Sequence, residues 1–99
     1  MIRHVVTFRF GPGLPTGQLD VIDAALAHLA ARLDVLREYH YGRHLGLPSG
    51  NADYAITALV DDEVALKSYL DDPEHRRVAT ELIDPHANEI LAVQFTVPV

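Results

Sequence analysis

Ile2-Arg3-His4-Val5-Val6-Thr7-Phe8-Arg9-Phe10 opens the chain on a two-residue period. Ile2, His4, Val6, Phe8 and Phe10 fall on one side of an extended segment, and Arg3, Val5, Thr7 and Arg9 on the other. Gly11-Pro12-Gly13-Leu14-Pro15 ends this strand, because two prolines lack amide donors and two glycines open a turn. The period then changes. Leu19, Ile22, Leu26, Leu29 and Leu33 recur at helical spacing as one apolar stripe, with Thr16 as the expected N-cap and alanines adding helix propensity between them.

The two-residue period returns over residues 35–47, where Val35, Arg37, Tyr39, Tyr41, Arg43 and Leu45 share a face. Gly42 and Gly46 on the other face suggest a bulge or a close backbone approach. Residues 48–53 have loop composition, and 54–60 read as a short strand. Asp61 or Asp62 can cap a helix over 63–70 whose acidic first turn suits the helix dipole. Asp72-Pro73-Glu74 is a second start signal, with Asp72 as N-cap and Pro73 at the first helical position. That helix carries His75, Val78, Ala79 and Leu82 on one side and stops at Pro85; residues 90–97 form the last strand, ended by Pro98.

The order β-α-β-β-α-β, with a broken second helix, predicts a single α+β domain over residues 1–99: a ferredoxin-like split βαβ sheet with its helices on one face. The other face must then meet water or a partner. Val5, Thr7, Tyr39, Tyr41, Leu91, Val93, Phe95 and Val97 are assigned to it, a set too apolar for a solvated surface. A homodimer through the sheet face is therefore expected.

Composition narrows the function. Eight Lys+Arg against fourteen Asp+Glu give a formal charge of −6, with no basic cluster, which disfavours nucleic acid and anionic membranes. The absence of cysteine excludes disulfides, thiolate zinc sites, iron–sulfur clusters and Cys nucleophiles. Apolar runs fall far short of the roughly 20 residues of a membrane span, and the opening lacks a signal-peptide core. A cytoplasmic domain is expected. His40 and His44 would lie about 13 Å apart on a strand, too far for a shared metal. His28 and His86 read as solvated.

The opening I-R-H-V-V-T-F-R-F, the Y-G-R of the second strand and A-L-K-S-Y-L-D-D-P-E-H over residues 65–75 resemble the stress-responsive dimeric α/β-barrel family, Dabb, across essentially the whole chain. The most specific part is Tyr-x3-Pro-x-His at Tyr69, Pro73 and His75, supported by His4. The resemblance implies a ferredoxin-like protomer that dimerises through its sheets into a barrel. Family members more often carry His before the Pro; here that position is Asp72. One plant branch, of the olivetolic acid cyclase type, performs an aldol cyclisation of a linear polyketide without metal or cofactor. Its Tyr, helical His and first-strand His match Tyr69, His75 and His4, whereas its third-strand His falls at Ile56.

The residues support such chemistry directly. His75, near a helix start and on an apolar face, is expected to be neutral and able to accept a proton. Tyr69, brought back by the Pro73 break, could stabilise a developing enolate by hydrogen bonding. His4 joins them if its strand face looks toward the helices. Val6, Phe8, Leu26, Leu29, Ile56, Val78, Leu82 and Ile90 are the expected lining of an apolar substrate pocket. The set reads as a cofactor-free, metal-free enzyme of the cyclase/lyase type acting on a small hydrophobic or polyketide-like compound. The alternative is a non-catalytic dimeric module that binds a small ligand or serves a stress response, with Tyr69 and His75 as packing and capping residues.

Overall fold

In the computed structural model, which describes residues 1–46 and 50–98, the chain runs β1 (Ile2–Phe10), α1 (Gln18–Arg32), β2 (Glu38–Arg43), β3 (Tyr54–Val60), α2 (Glu63–Asp71), α3 (Pro73–Arg77), a π-helical turn (Val78–Ile83) and β4 (Ala87–Thr96). The strands form one sheet of order β2-β3-β1-β4. All three pairings are antiparallel, as a split βαβ arrangement requires.

Register determines what faces the helices. His4 lies opposite Ala58 and Gln94, Val6 opposite Ile56 and Ala92, and Phe8 opposite Tyr54 and Ile90. Cross-strand partners share a face, so these residues form the inner side. Helix α1 covers it with Ile22, Leu26 and Leu29, each essentially without solvent exposure. Full burial of such side chains stabilises by about 1.5–3 kcal/mol each. Val78 and Ile83 complete the core with Val6, Phe8, Tyr54 and Ile56.

Several expectations are corrected. Tyr39 pairs with Ala58 and Tyr41 with Ile56, so both tyrosines face the helices rather than outward. The strand face of residues 35–47 was defined by alternation, which says which residues travel together but not which side they take. β2 itself is shorter than expected because residues before it turn: the Leu36 amide bonds the Leu33 carbonyl before Arg37 joins β3 through Leu59. Gly42 stays in regular register, and the irregularity in pairing falls instead at Arg9/Phe10, opposite β4. The cap of α1 is Gly17, whose φ of 84° is open to glycine, and not Thr16. β4 begins three residues earlier than expected, at Ala87. The expected strand end at Leu47 and the loop residues Pro48 and Ser49 lie outside the described residues.

The outer face of the sheet keeps Val5, Thr7, Leu91, Val93 and Phe95 as expected, and Leu91, Val93 and Phe95 are 61%, 56% and 48% exposed in the protomer. Among the described residues no helix is long and apolar enough to cross a membrane.

Candidate active site

The α2–α3 break builds the site. Asp72 turns the chain with extended-type ψ (φ −56°, ψ 129°), and its Oδ2 accepts from the amides of Glu74 (3.1 Å) and His75 (3.0 Å). Pro73 follows as the first helical residue, where no amide partner is needed. Arg32 at the end of α1 braces this cap, donating to Asp72 at 2.6 Å and to Glu74 at 2.7 Å. His28, exposed as expected, also pairs with Glu74, whereas His86 is half-buried in the turn after Pro85.

The reversal lays Tyr69, in the last turn of α2, against His75, the third residue of α3; their ring centroids are 4.4 Å apart. His75 Nδ1 donates to the Leu70 carbonyl at 3.2 Å, which puts the ring proton on Nδ1 and the lone pair on Nε2. Tyr69 is 1% exposed, and its hydroxyl lies 2.9 Å from that of Tyr39 on β2. His4 on β1 is 6% exposed and stands edge-on to Tyr69 with centroids 6.1 Å apart. Gln94 Nε2 donates to His4 Nδ1 at 2.8 Å. The phenol and the two imidazoles therefore occupy one interior space.

These three rings border a cavity of about 170 Å³ between sheet and helices. Val6, Phe8, Leu26, Ile56, Val78 and Ile90 line it, in agreement with the sequence reading. Leu29 and Leu82 do not. Leu29 is sealed in the core a turn beyond Leu26 on α1, and Leu82 packs at the core's edge. Ile83, Ala79 and Asp84 line the cavity instead. The cause is the π-helical turn: the Asp84 amide bonds the Ala79 carbonyl five residues back at 2.8 Å. One extra residue in the turn rotates Ile83 onto the face that an α-helix would give to Leu82.

Burial sets the protonation states. It lowers the His75 pKa below its ordinary value, although the Leu70 carbonyl and the Asp72 carboxylate pull the other way. It also lowers that of His4, with the nearby His75 adding to the effect. The Tyr69 phenol is pushed up to about 12 by burial, partly offset by its bond to Tyr39. Tyr39 is raised further, first by burial and then by Tyr69, so both hydroxyls are protonated at neutral pH and either can donate in their shared bond. At neutral pH the cavity thus holds two neutral imidazoles and a protonated phenol.

Two of these contributions escaped the sequence. Tyr39 was assigned to the wrong face, as above. Gln94 is a lone amide on the inward side of a strand of Ile90 and Ala92, a break in alternation that could have singled it out. Among the described residues no three His, Asp or Glu side chains converge as a metal-binding group.

Fold and site together define a class: a split β-α-β-β-α-β protein with a mostly apolar cavity under its helices, bordered by a Tyr/His pair and a strand histidine. Residues 2–97 match the family model described as Dabb, the stress responsive A/B barrel domain, and the chain belongs to that family. An uncharacterized protein of Streptomyces coelicolor is 32% identical over 78 residues, covering 77% of this chain and 80% of that one. A dimeric ferredoxin-like protein of unknown function from Thermobifida fusca superposes with a TM-score of 0.89 at 35% identity, over 97% of this chain and 90% of that chain. The hydroxynitrile lyase of Passiflora edulis shares the fold, with a TM-score of 0.83 at 20% identity over 98% of this chain and 93% of its own. The dimeric relative supports a homodimer.

Proposed function

We propose that the protein is a cofactor-free enzyme of the lyase or cyclase type that breaks or forms a carbon–carbon bond next to a carbonyl group by acid–base catalysis. The observation that carries this reading is the Tyr69–His75 pair. A phenol and a neutral imidazole, with Nδ1 tied to the Leu70 carbonyl, stand 4.4 Å apart at the edge of a cavity lined mainly by aliphatic and aromatic side chains. In that role His75 Nε2 removes the proton beside the carbonyl, and the Tyr69 hydroxyl donates to the oxygen on which negative charge develops. His4 is the third polar group of the site. The lyase named among the structural neighbours has the same fold, so this scaffold can host such chemistry.

Cavity size bounds the substrate. A cavity of about 150 Å³ accommodates a benzene ring, so about 170 Å³ suits a single ring or a short chain. Drug-sized ligands occupy about 300–1,000 Å³. A long linear polyketide is accordingly a poorer fit than a compact carbonyl compound, and Ile56, in place of a third-strand histidine, leaves that wall apolar.

The test is incubation of the purified protein with a fractionated small-molecule extract, followed by mass spectrometry of what is consumed and what stays bound. His75→Ala and Tyr69→Phe should each lower turnover at least about 100-fold with melting temperatures close to wild type. Retention without conversion would instead identify a small-ligand-binding module, and equal loss of folding in both variants would make the pair structural.

A further inference from the structure

We infer that Gln94 is a positioning residue that fixes His4 as a hydrogen-bond donor, so that the cavity presents one base and two donors and takes a small uncharged compound with a carbonyl oxygen. This deepens the reading above and rests on the same cavity being the site.

The buried His4 and the half-buried His75 are held in opposite tautomers. His75 donates a hydrogen bond from Nδ1–H to a backbone carbonyl, which can only accept, so its Nε2 carries the lone pair. His4 accepts a hydrogen bond at Nδ1 from the Gln94 amide, so the ring proton of the neutral imidazole lies on Nε2. Among the described residues no buried side-chain nitrogen or oxygen lacks a hydrogen-bond partner. Neither Nε2 is engaged by the bonds that hold Nδ1, and both rings border the cavity. Each Nε2 therefore meets open space. Tyr69 borders the same cavity, and its hydroxyl is a second donor to a guest when Tyr39 turns its O–H into their shared bond.

Two donors and one acceptor on an apolar wall match a carbonyl oxygen with an adjacent acidic proton. The oxygen accepts from His4 Nε2–H and Tyr69 O–H while His75 Nε2 faces the proton to be removed. Among the described residues Asp84 is the one carboxylate at the cavity wall and no arginine or lysine lines it, so an anionic ligand would meet a like charge with nothing there to balance it. Gln94 itself does not line this cavity. It reaches His4 from the neighbouring open groove, beside Leu66 and Leu70, and acts only through the imidazole.

The tautomers are read directly from long-range proton–nitrogen correlations of the histidine rings in the whole protein at neutral pH, with His4→Asn and His75→Asn assigning the signals. Wild type should show His4 protonated at Nε2 and His75 at Nδ1. Gln94→Leu should leave His4 in mixed tautomers, and Gln94→Glu, which offers only acceptors, should move the His4 proton to Nδ1; His75 should stay unchanged in both. The ligand class is probed with cyclohexanone against methylenecyclohexane, which differ in one carbonyl oxygen. The preference for the ketone should drop about 5- to 10-fold in Gln94→Leu and Gln94→Glu, the worth of one hydrogen bond, with methylenecyclohexane affinity changed less than about twofold. Nδ1 protonation of His4 in wild type, or a ketone preference indifferent to both substitutions, would overturn the inference. Absence of turnover with every compound would count against the enzymatic reading alone and would leave the tautomer result standing.

Discussion

His4 and His75 carry imidazoles whose charged form is disfavoured by burial, and this ties folding to pH. In the unfolded chain each takes a proton near its ordinary value of 6.5; in the folded protein each does so only at lower pH. Between those values the unfolded state binds more protons, so stability rises with pH there. The contribution is complete above the unfolded value and is lost as pH falls through the folded ones. Asp61, Asp71, Asp72 and Glu74 are held below their ordinary carboxylate values, and their contributions fade in a lower, separate window. The melting temperature should accordingly decline as pH is lowered from about 7 to about 5. A scan of His4→Asn and His75→Asn should show a flatter slope over that interval; an unchanged slope in both would mean that other groups set it.

At the scale of elements, the α2–α3 break is the part of the fold on which the site depends. Asp72 caps α3 through two amides and takes a charged hydrogen bond from Arg32, so one side chain fixes the direction of the helix that carries His75. Asp72→Ala should cost about 1–2 kcal/mol in urea unfolding, the usual loss for an N-cap, and should also weaken retention of any cavity ligand. Asp72→Asn should recover much of the stability, since its amide oxygen can still accept. This break was legible in the sequence, because Asp-Pro-Glu is a start signal that needs no tertiary information. The π-helical turn was not. Nothing in Val78-Ala79-Thr80-Glu81-Leu82-Ile83 departs from an α-helical pattern, and the extra residue shows only in the Ala79–Asp84 hydrogen bond.

The whole molecule presents one sheet face to the helices and another that is apolar and open in the protomer. Leu91, Val93 and Phe95 on edge strand β4 adjoin Val5 and Thr7 on β1, and the Arg3–Glu38 ion pair lies on the same face toward the β2 edge. An uncovered patch of this kind favours a second copy, and the dimeric relative points the same way. Val93→Lys places an ammonium group at the centre of that face, where sheet-to-sheet burial would strip its water. Sedimentation equilibrium should show wild type as a dimer and Val93→Lys shifted to monomer, with the helix content of the protomer retained. A variant that stays dimeric would locate the interface away from this face.

The sequence by itself determined the elements and most of the cavity wall. Alternation in residues 2–10 and helical spacing from Leu19 to Leu33 are local consequences of backbone geometry, and so is the capped break at Asp72. His4 and His75 stand out as polar groups on otherwise apolar faces, and Tyr69 stands out through the resemblance of Tyr-x3-Pro-x-His to the family motif. Only the tertiary structure decided how these groups are held. The Tyr39–Tyr69 bond spans 30 positions and the Gln94–His4 bond spans 90. Such pairs are set by strand register and by which face of β2 turns inward, and both are settled by packing between segments rather than within them.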